Sequence, residues 1–232
     1  MSATFAPGAE APPRAGRWYH LPNVAEVLGV FFRHGSNALL AAGAVAIAGA
    51  SAAGGPKLRP REIAAGALLF FASEYGTHRY LFHAKPSPSR FVRGLQHRLH
   101  YDHHVDPAKL DLLFLPPWYL GPNLALATAA YAAVTRDRDA TASLLLGNLL
   151  GLLYYEWVHY VAHVPFRPVT PFGRWIRKYH LRHHFLSEKL WFGVTNPALD
   201  VLARTYAGIA QAERSATTRL LFPDAFPELA AR

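Results

Sequence analysis

Apolar positions along this chain gather into long runs, and four of them approach the roughly 20 residues of helix that a hydrocarbon core requires. They cover residues 36–54, 62–83, 113–134 and 142–164. The first is rich in alanine and glycine, which bring little transfer energy but suit close helix packing. The third holds LPPWYLGPN, whose prolines and glycine predict a broken or partly re-entrant segment, tolerable only where protein or water satisfies the freed backbone groups. Residues 1–35 read as a flexible Pro/Ala-rich arm ending in LPNVAEVLGVFFRHG, with the pattern of an interfacial amphipathic helix. Residues 36–206 read as a membrane domain and 207–232 as a C-terminal tail. The expected fold class is therefore all-α and integral to a membrane, with about four transmembrane helices. An even number of crossings leaves both termini on one side.

Charge adds a direction to that topology. The 232 residues are 51% hydrophobic and 17% charged, with a formal net charge of +9. Such a balance suits nucleic acid only when the basic residues form a base-reading module, and here they do not; no nucleic-acid partner is expected. The short connections GGPKLRPRE and TRDRDAT hold Lys57, Arg59, Arg61, Arg136 and Arg138, five of the 24 basic residues. Nearly all the others fall beside the N-terminus, in residues 84–112, or after 165, and the positive-inside rule places that side in the cytoplasm. The opening MSATFAPGAEAPPRAG lacks the basic start and apolar run of a signal peptide.

Ten of the 13 histidines fall into four groups on this frame. His78 and His83 lie at the end of the second run, and His159 and His163 at the end of the fourth. His100, His103 and His104 form one His-x-x-His-His box in the segment after the second run, and His180, His183 and His184 form another after the fourth. All ten can thus meet in a cap at the cytoplasmic face. His159 and His163, four apart, share a helix face, and each box keeps its rings within about 60° of its first histidine. His78 and His83, five apart, diverge by about 140° on an α-helix, so they straddle a site or need a loosened helix end. The chain has no cysteine, so any metal sits on nitrogen and oxygen. Ten imidazoles exceed what one four- to six-coordinate ion uses, which points to two metals. His20, His34 and His97 stand outside the pattern.

The stretches EYGTHRYLFHAKP, HYDHH, DLLFLPPW, GNLLGLLYYEWVHYVAH, KYHLRHHF and FGVTNPALD, in this order and spacing, resemble the fatty acid hydroxylase and sterol desaturase superfamily, and within it most resemble the fatty acid 2-hydroxylase branch. The resemblance covers roughly residues 62–205. It implies a membrane oxygenase with a histidine-bound di-iron centre whose ligands are His78, His83, His100, His103, His104, His159, His163, His180, His183 and His184. Zinc can also occupy such a site in purified protein. Glu74 and Glu156 each lie one turn from a ligand, and Asp102 and Asp200 stand within or near the motifs; all four are expected to orient ligand rings. Tyr154, Tyr155, Trp157 and Trp191 fit either the walls of an acyl path or an interfacial aromatic belt.

The resemblance implies hydroxylation of a lipid acyl chain with molecular oxygen, 2-hydroxylation of a fatty acyl group first. The same metal chemistry could act on a sterol, a carotenoid or another lipid, as hydroxylase or desaturase. A zinc-binding membrane protein without enzymatic activity is the remaining class. Eukaryotic 2-hydroxylases carry a fused cytochrome b5 domain with a His-Pro-Gly-Gly motif, which these residues lack. Nor do they show a flavin or nicotinamide fingerprint. Electrons are therefore expected from a separate cytochrome b5-like protein or ferredoxin, drawn to Arg90, Arg93, Arg98, Arg174, Arg177 and Lys178.

Overall fold

The computed structural model describes residues 23–222, and among them there are helices and turns but no strand. The Asn23 side chain accepts from the Glu26 N–H and starts helix α1, Val24–Arg33. Its Val27 and Phe31 are buried against Leu113, Phe114, Tyr160, Val161 and Val164, while Val24, Leu28 and Phe32 face outward. Helix α2, Gly35–Ala52, follows directly. Pro60, whose missing N–H costs nothing in a first turn, opens α3, Pro60–Thr77. Three shorter pieces then build the cap: α4, Arg90–Gln96, α5, Asp102–Val105, and α6, Leu110–Leu113.

The prolines of LPPWYLGPN act differently from the expectation of a broken span. Pro116 caps and Pro117 begins α7, Pro117–Thr135, which continues through Pro122 without interruption. The break falls earlier, between Leu113 and Pro117, so the helix starts four residues after the apolar run does. Asp137 accepts from the Asp139 and Ala140 N–H groups and starts the longest helix, α8, Arg138–His163. Thr170 caps α9, Pro171–Phe185, and a last short helix, α10, covers Ala198–Leu202.

Helix α8 is the axis on which α2, α3 and α7 pack. Its approach to α3 is close enough to require glycine: a Cβ at Gly66 would lie 2.0 Å from the Leu144 carbonyl oxygen, and one at Gly147 1.9 Å from that of Ile63. Close packing through small residues thus belongs to α3 and α8, not chiefly to the Ala/Gly-rich α2. At one end of the bundle the two short connections meet, where Arg59 pairs with Asp137 at 2.8 Å and the Lys57 N–H donates to Asp139. All four histidine groups sit at the other end. Among the described helices, Gly35–Ala52 is the one long and apolar enough to cross a membrane by length and composition.

Candidate metal centre

Two departures from α-helical geometry prepare the centre. After Thr77 the chain takes a π-helical turn, His78–Phe82, and the His83 N–H donates to the His78 carbonyl five residues back. A wider turn brings residues five apart onto one face, which removes the divergence that α-helical spacing imposes on this pair. A second π-helical turn, His97–Tyr101, leads into α5 and presents the first box.

The ten grouped histidines form two sets of five. His78, His83, His100, His104 and His183 make the first site; His103, His159, His163, His180 and His184 make the second. Within each set the candidate ligand atoms lie within 4.8 Å of one another. The boxes are therefore shared between the sites, contrary to the expectation that each points its three rings together. The four-apart pair His100 and His104 serves the first site and His103 the second, while His180 and His184 serve the second and His183 the first. The sites abut where the His104 and His184 rings stack, centroids 4.2 Å apart.

The nitrogen chemistry fits cations. Nε2 atoms face each other at 3.2 Å for His78 and His100, 2.7 Å for His83 and His100, and 2.9 Å for His83 and His183. The second site has 2.9 Å for both His103 with His159 and His163 with His180. Two nitrogens about 2.1 Å from one ion and at right angles lie about 3 Å apart, which matches this spacing. In the first site Nδ1 of His78 donates to the Phe192 carbonyl at 2.5 Å, His183 to Leu190 at 2.8 Å and His104 to Thr218 at 2.7 Å. Those bonds fix the tautomer and leave an Nε2 lone pair aimed inward. His104 Nε2 and His184 Nε2 are buried with no partner among the described residues, a costly arrangement unless a cation or donor meets their lone pairs. Burial pushes His104 and His183 down to about 3. Burial first, then neighbouring imidazoles, pushes His100, His103, His180 and His184 well below the usual histidine value. Neutral rings are the form that binds metal.

The carboxylates act on the site through the backbone. Asp200, fully buried, accepts from the Phe192 and Gly193 N–H groups at 2.9 and 2.7 Å and from the Tyr179 and Thr205 hydroxyls, both at 2.7 Å. Glu74 accepts from the Val194 N–H at 2.7 Å and the Thr195 hydroxyl at 2.5 Å. Both thus hold the loop whose Phe192 carbonyl meets His78, and neither touches a ligand ring. Glu156 accepts from the Leu115 N–H at 3.1 Å, tying α8 to the residues before α7. Asp102 departs from the expectation of a bond to a ligand ring: its partner is His97 Nδ1 at 2.9 Å. Nothing in the sequence points to the carbonyls of Leu190, Phe192 and Thr218, because a main-chain oxygen leaves no signature in residue type. Thr218 also lies in the stretch read as a tail. His34 contacts Ser36 at 2.7 Å, outside both sites, and His20 lies outside the described residues.

Clefts of different character open around this cap. An apolar cavity of about 310 Å³ lies between α3 and α7 on the floor of α8, lined by Phe70, Leu120, Leu124, Leu152 and Tyr155 and ending on His78. Of the four aromatic residues expected along an acyl path, Tyr155 lines it. Trp157 packs on Phe31 and Tyr154 on Phe71. Trp191 is wholly buried at a left-handed φ of 57°, its indole N–H donating to the Ala207 carbonyl. Another cleft is basic, lined by Arg167, Arg174, Arg177, Lys178 and Arg182. Arg177 donates to the Val161 and Val164 carbonyls on either side of His163.

Comparison with known proteins is concordant. A family model described as fatty acid hydroxylase matches residues 63–205. The dihydroceramide fatty acyl 2-hydroxylase FAH2 of Arabidopsis thaliana is 30% identical over 162 residues, 66% of this chain and 63% of the relative. The ceramide very long chain fatty acid hydroxylase SCS7 of Saccharomyces cerevisiae is 32% identical over 145 residues, 62% of this chain and 37% of the relative. A solved structure described as full-length Scs7p, with only its hydroxylase domain visible, superposes with a TM-score of 0.63 at 25% identity, covering 82% of this chain and 67% of that one. The chain thus spans less than two thirds of the length of these curated relatives.

Proposed function

The chain belongs to the fatty acid hydroxylase family, and from that premise we propose that it is a membrane di-iron oxygenase that hydroxylates a lipid acyl chain, with the carbon next to the carbonyl as its target. The observation that carries this reading is the apolar cavity that ends on His78 of the first site. The names of the plant and yeast relatives, a fatty acyl 2-hydroxylase and a ceramide fatty acid hydroxylase, support the same substrate class.

The ten histidines would hold two iron ions, five imidazoles to each. When bound, the ions supply oxygen activation and C–H cleavage, which no side chain provides. One oxygen atom ends in the C–OH bond and the other in water, with two electrons and two protons taken up. The rest is the work of the chain's own residues. Phe70, Leu120, Leu124 and Leu152 bury the acyl tail, exclude water and align it toward His78. Asp200 and Glu74 hold the 190–195 loop rigid, so that its carbonyls keep the His78 and His183 rings in one orientation. The basic cleft beside His163 receives an acidic cytochrome b5-like protein or ferredoxin, with an encounter rate that falls as salt rises.

In this reading α2, α3, α7 and α8 cross the membrane and the histidine cap and both termini face the cytoplasm. Exposed large apolar residues on those four helices, among them Val45, Leu68, Leu126 and Leu150, support a lipid-facing surface. Residues 36–206 then form the membrane domain, with 1–35 and 207–232 as flanking segments. Lipid mass spectrometry of cells with and without the gene tests the proposal. Acyl chains heavier by one oxygen, with the label from ¹⁸O₂, are expected; hydroxylated sterols or carotenoids with unchanged acyl chains would overturn it.

A further inference from the structure

We infer that Tyr131 and Asn148 form the floor of the apolar cavity and set the length of acyl chain that this protein hydroxylates; the inference rests on the hydroxylase reading above. The cavity lining runs as three stripes from the histidine cap into the bundle. On α3 the stripe ends at Leu69, on α7 it runs from Tyr119 to Tyr131, and on α8 it runs from Tyr155 to Asn148. At the distal end the Asn148 amide donates to the Tyr131 hydroxyl at 2.9 Å, bridging the two helices across the cavity.

Asn148 is 8% exposed, and an unpaired amide at such depth is costly where an apolar side chain is not. The bond to Tyr131 is therefore a fixed closure, and an apolar chain tip pushing through it would strand both polar groups. On α7 the lining runs 12 residues, from Tyr119 beside the cap to Tyr131, which at 1.5 Å per residue is roughly 18 Å. An extended hydrocarbon advancing about 1.3 Å per carbon fits on the order of a dozen carbons in that span. Leu69 and Leu126, at 51% and 71% exposure, stand on the open side of the cavity between α3 and α7. A chain enters past them from lipid, and one that is too long must bend back out past them.

The test is the chain-length profile of hydroxylated products in cells supplied with saturated fatty acids of graded length. Asn148→Ala and Tyr131→Ala should shift the preferred length upward by about one helical turn's worth of chain, two to four carbons. Ala130→Leu, which adds bulk to the lining just above the floor without touching the bond, should shift it downward. Metal content of each purified variant should stay at the unmodified protein's level. A profile unchanged in all three variants, or lowered equally at every length, would overturn the floor while leaving the hydroxylase reading intact. Absence of hydroxylated acyl products from the unmodified protein would instead overturn that reading, and the floor with it.

Discussion

In the first site three of the five imidazoles donate Nδ1–H to main-chain carbonyls, those of Leu190, Phe192 and Thr218. In the second, Nδ1 of His103, His159, His180 and His184 meets no partner among the described residues. The first site is thus aligned by loops that Asp200 and Glu74 brace, and it borders the apolar cavity. The second is built of side chains on α5, α8 and α9, and Arg177 of the basic cleft donates to the carbonyls on either side of its His163. In the proposed reaction, orientation is invested where a substrate C–H bond must be met within a fraction of an ångström, and helix packing suffices where the task is to hold an ion.

The strongest way to break this comparison is to remove one ligand from each site. His183 and His184 are neighbours in sequence, yet His183→Ala should empty the first site and His184→Ala the second, each with activity falling to background; loss of the same ion in both would erase the distinction. Next comes Asp200→Ala, which strands two buried N–H groups and the Tyr179 hydroxyl at about 1–3 kcal/mol each. It should lower stability by about 3 kcal/mol or more and weaken the first site's metal affinity roughly 10- to 100-fold, with the second site little changed, as titration with a chelator would report.

Acid sharpens the comparison from another direction. The buried histidines stay neutral in the folded protein to about pH 3 for His104 and His183, whereas in the unfolded chain they take up protons near pH 6.5. Between those values the unfolded state binds more protons, so stability falls as pH falls. Metal-free protein should therefore show a midpoint of denaturation that drops steadily from pH 7 to pH 4, and bound metal should be displaced over the same range. A flat profile would mean that the rings are accessible to protons when folded.

Much of this was legible in the sequence. The four apolar runs match α2, α3 with its π-helical turn, α7 and α8, because hydrophobic length alone marks such helices. The 140° divergence of His78 and His83 leaves a choice between straddling a site and a loosened helix end, and the π-helical turn realises the second. The sharing of each box between two sites was not legible, since it depends on how α5 and α9 face each other across the cap. Nor was the partner of Asp102: spacing put a ligand ring within reach, but the π-helical turn before it presents His97 instead.

Smaller effects follow. Ending the chain after residue 216 removes the carbonyl that meets His104, and should weaken first-site metal affinity about tenfold by the same measure. Asp102→Asn, whose carboxylate is 37% exposed, should change stability by no more than about 1 kcal/mol and release neither ion. A larger loss of metal from Asp102→Asn than from the truncation would reverse the order in which these groups matter.

The most direct measurement is an anomalous difference map at the iron absorption edge from crystals of the metal-loaded protein. The account predicts two peaks per chain, one among His78, His83, His100, His104 and His183 and the other among His103, His159, His163, His180 and His184. A single peak, or a peak held by all three histidines of one box, would contradict it.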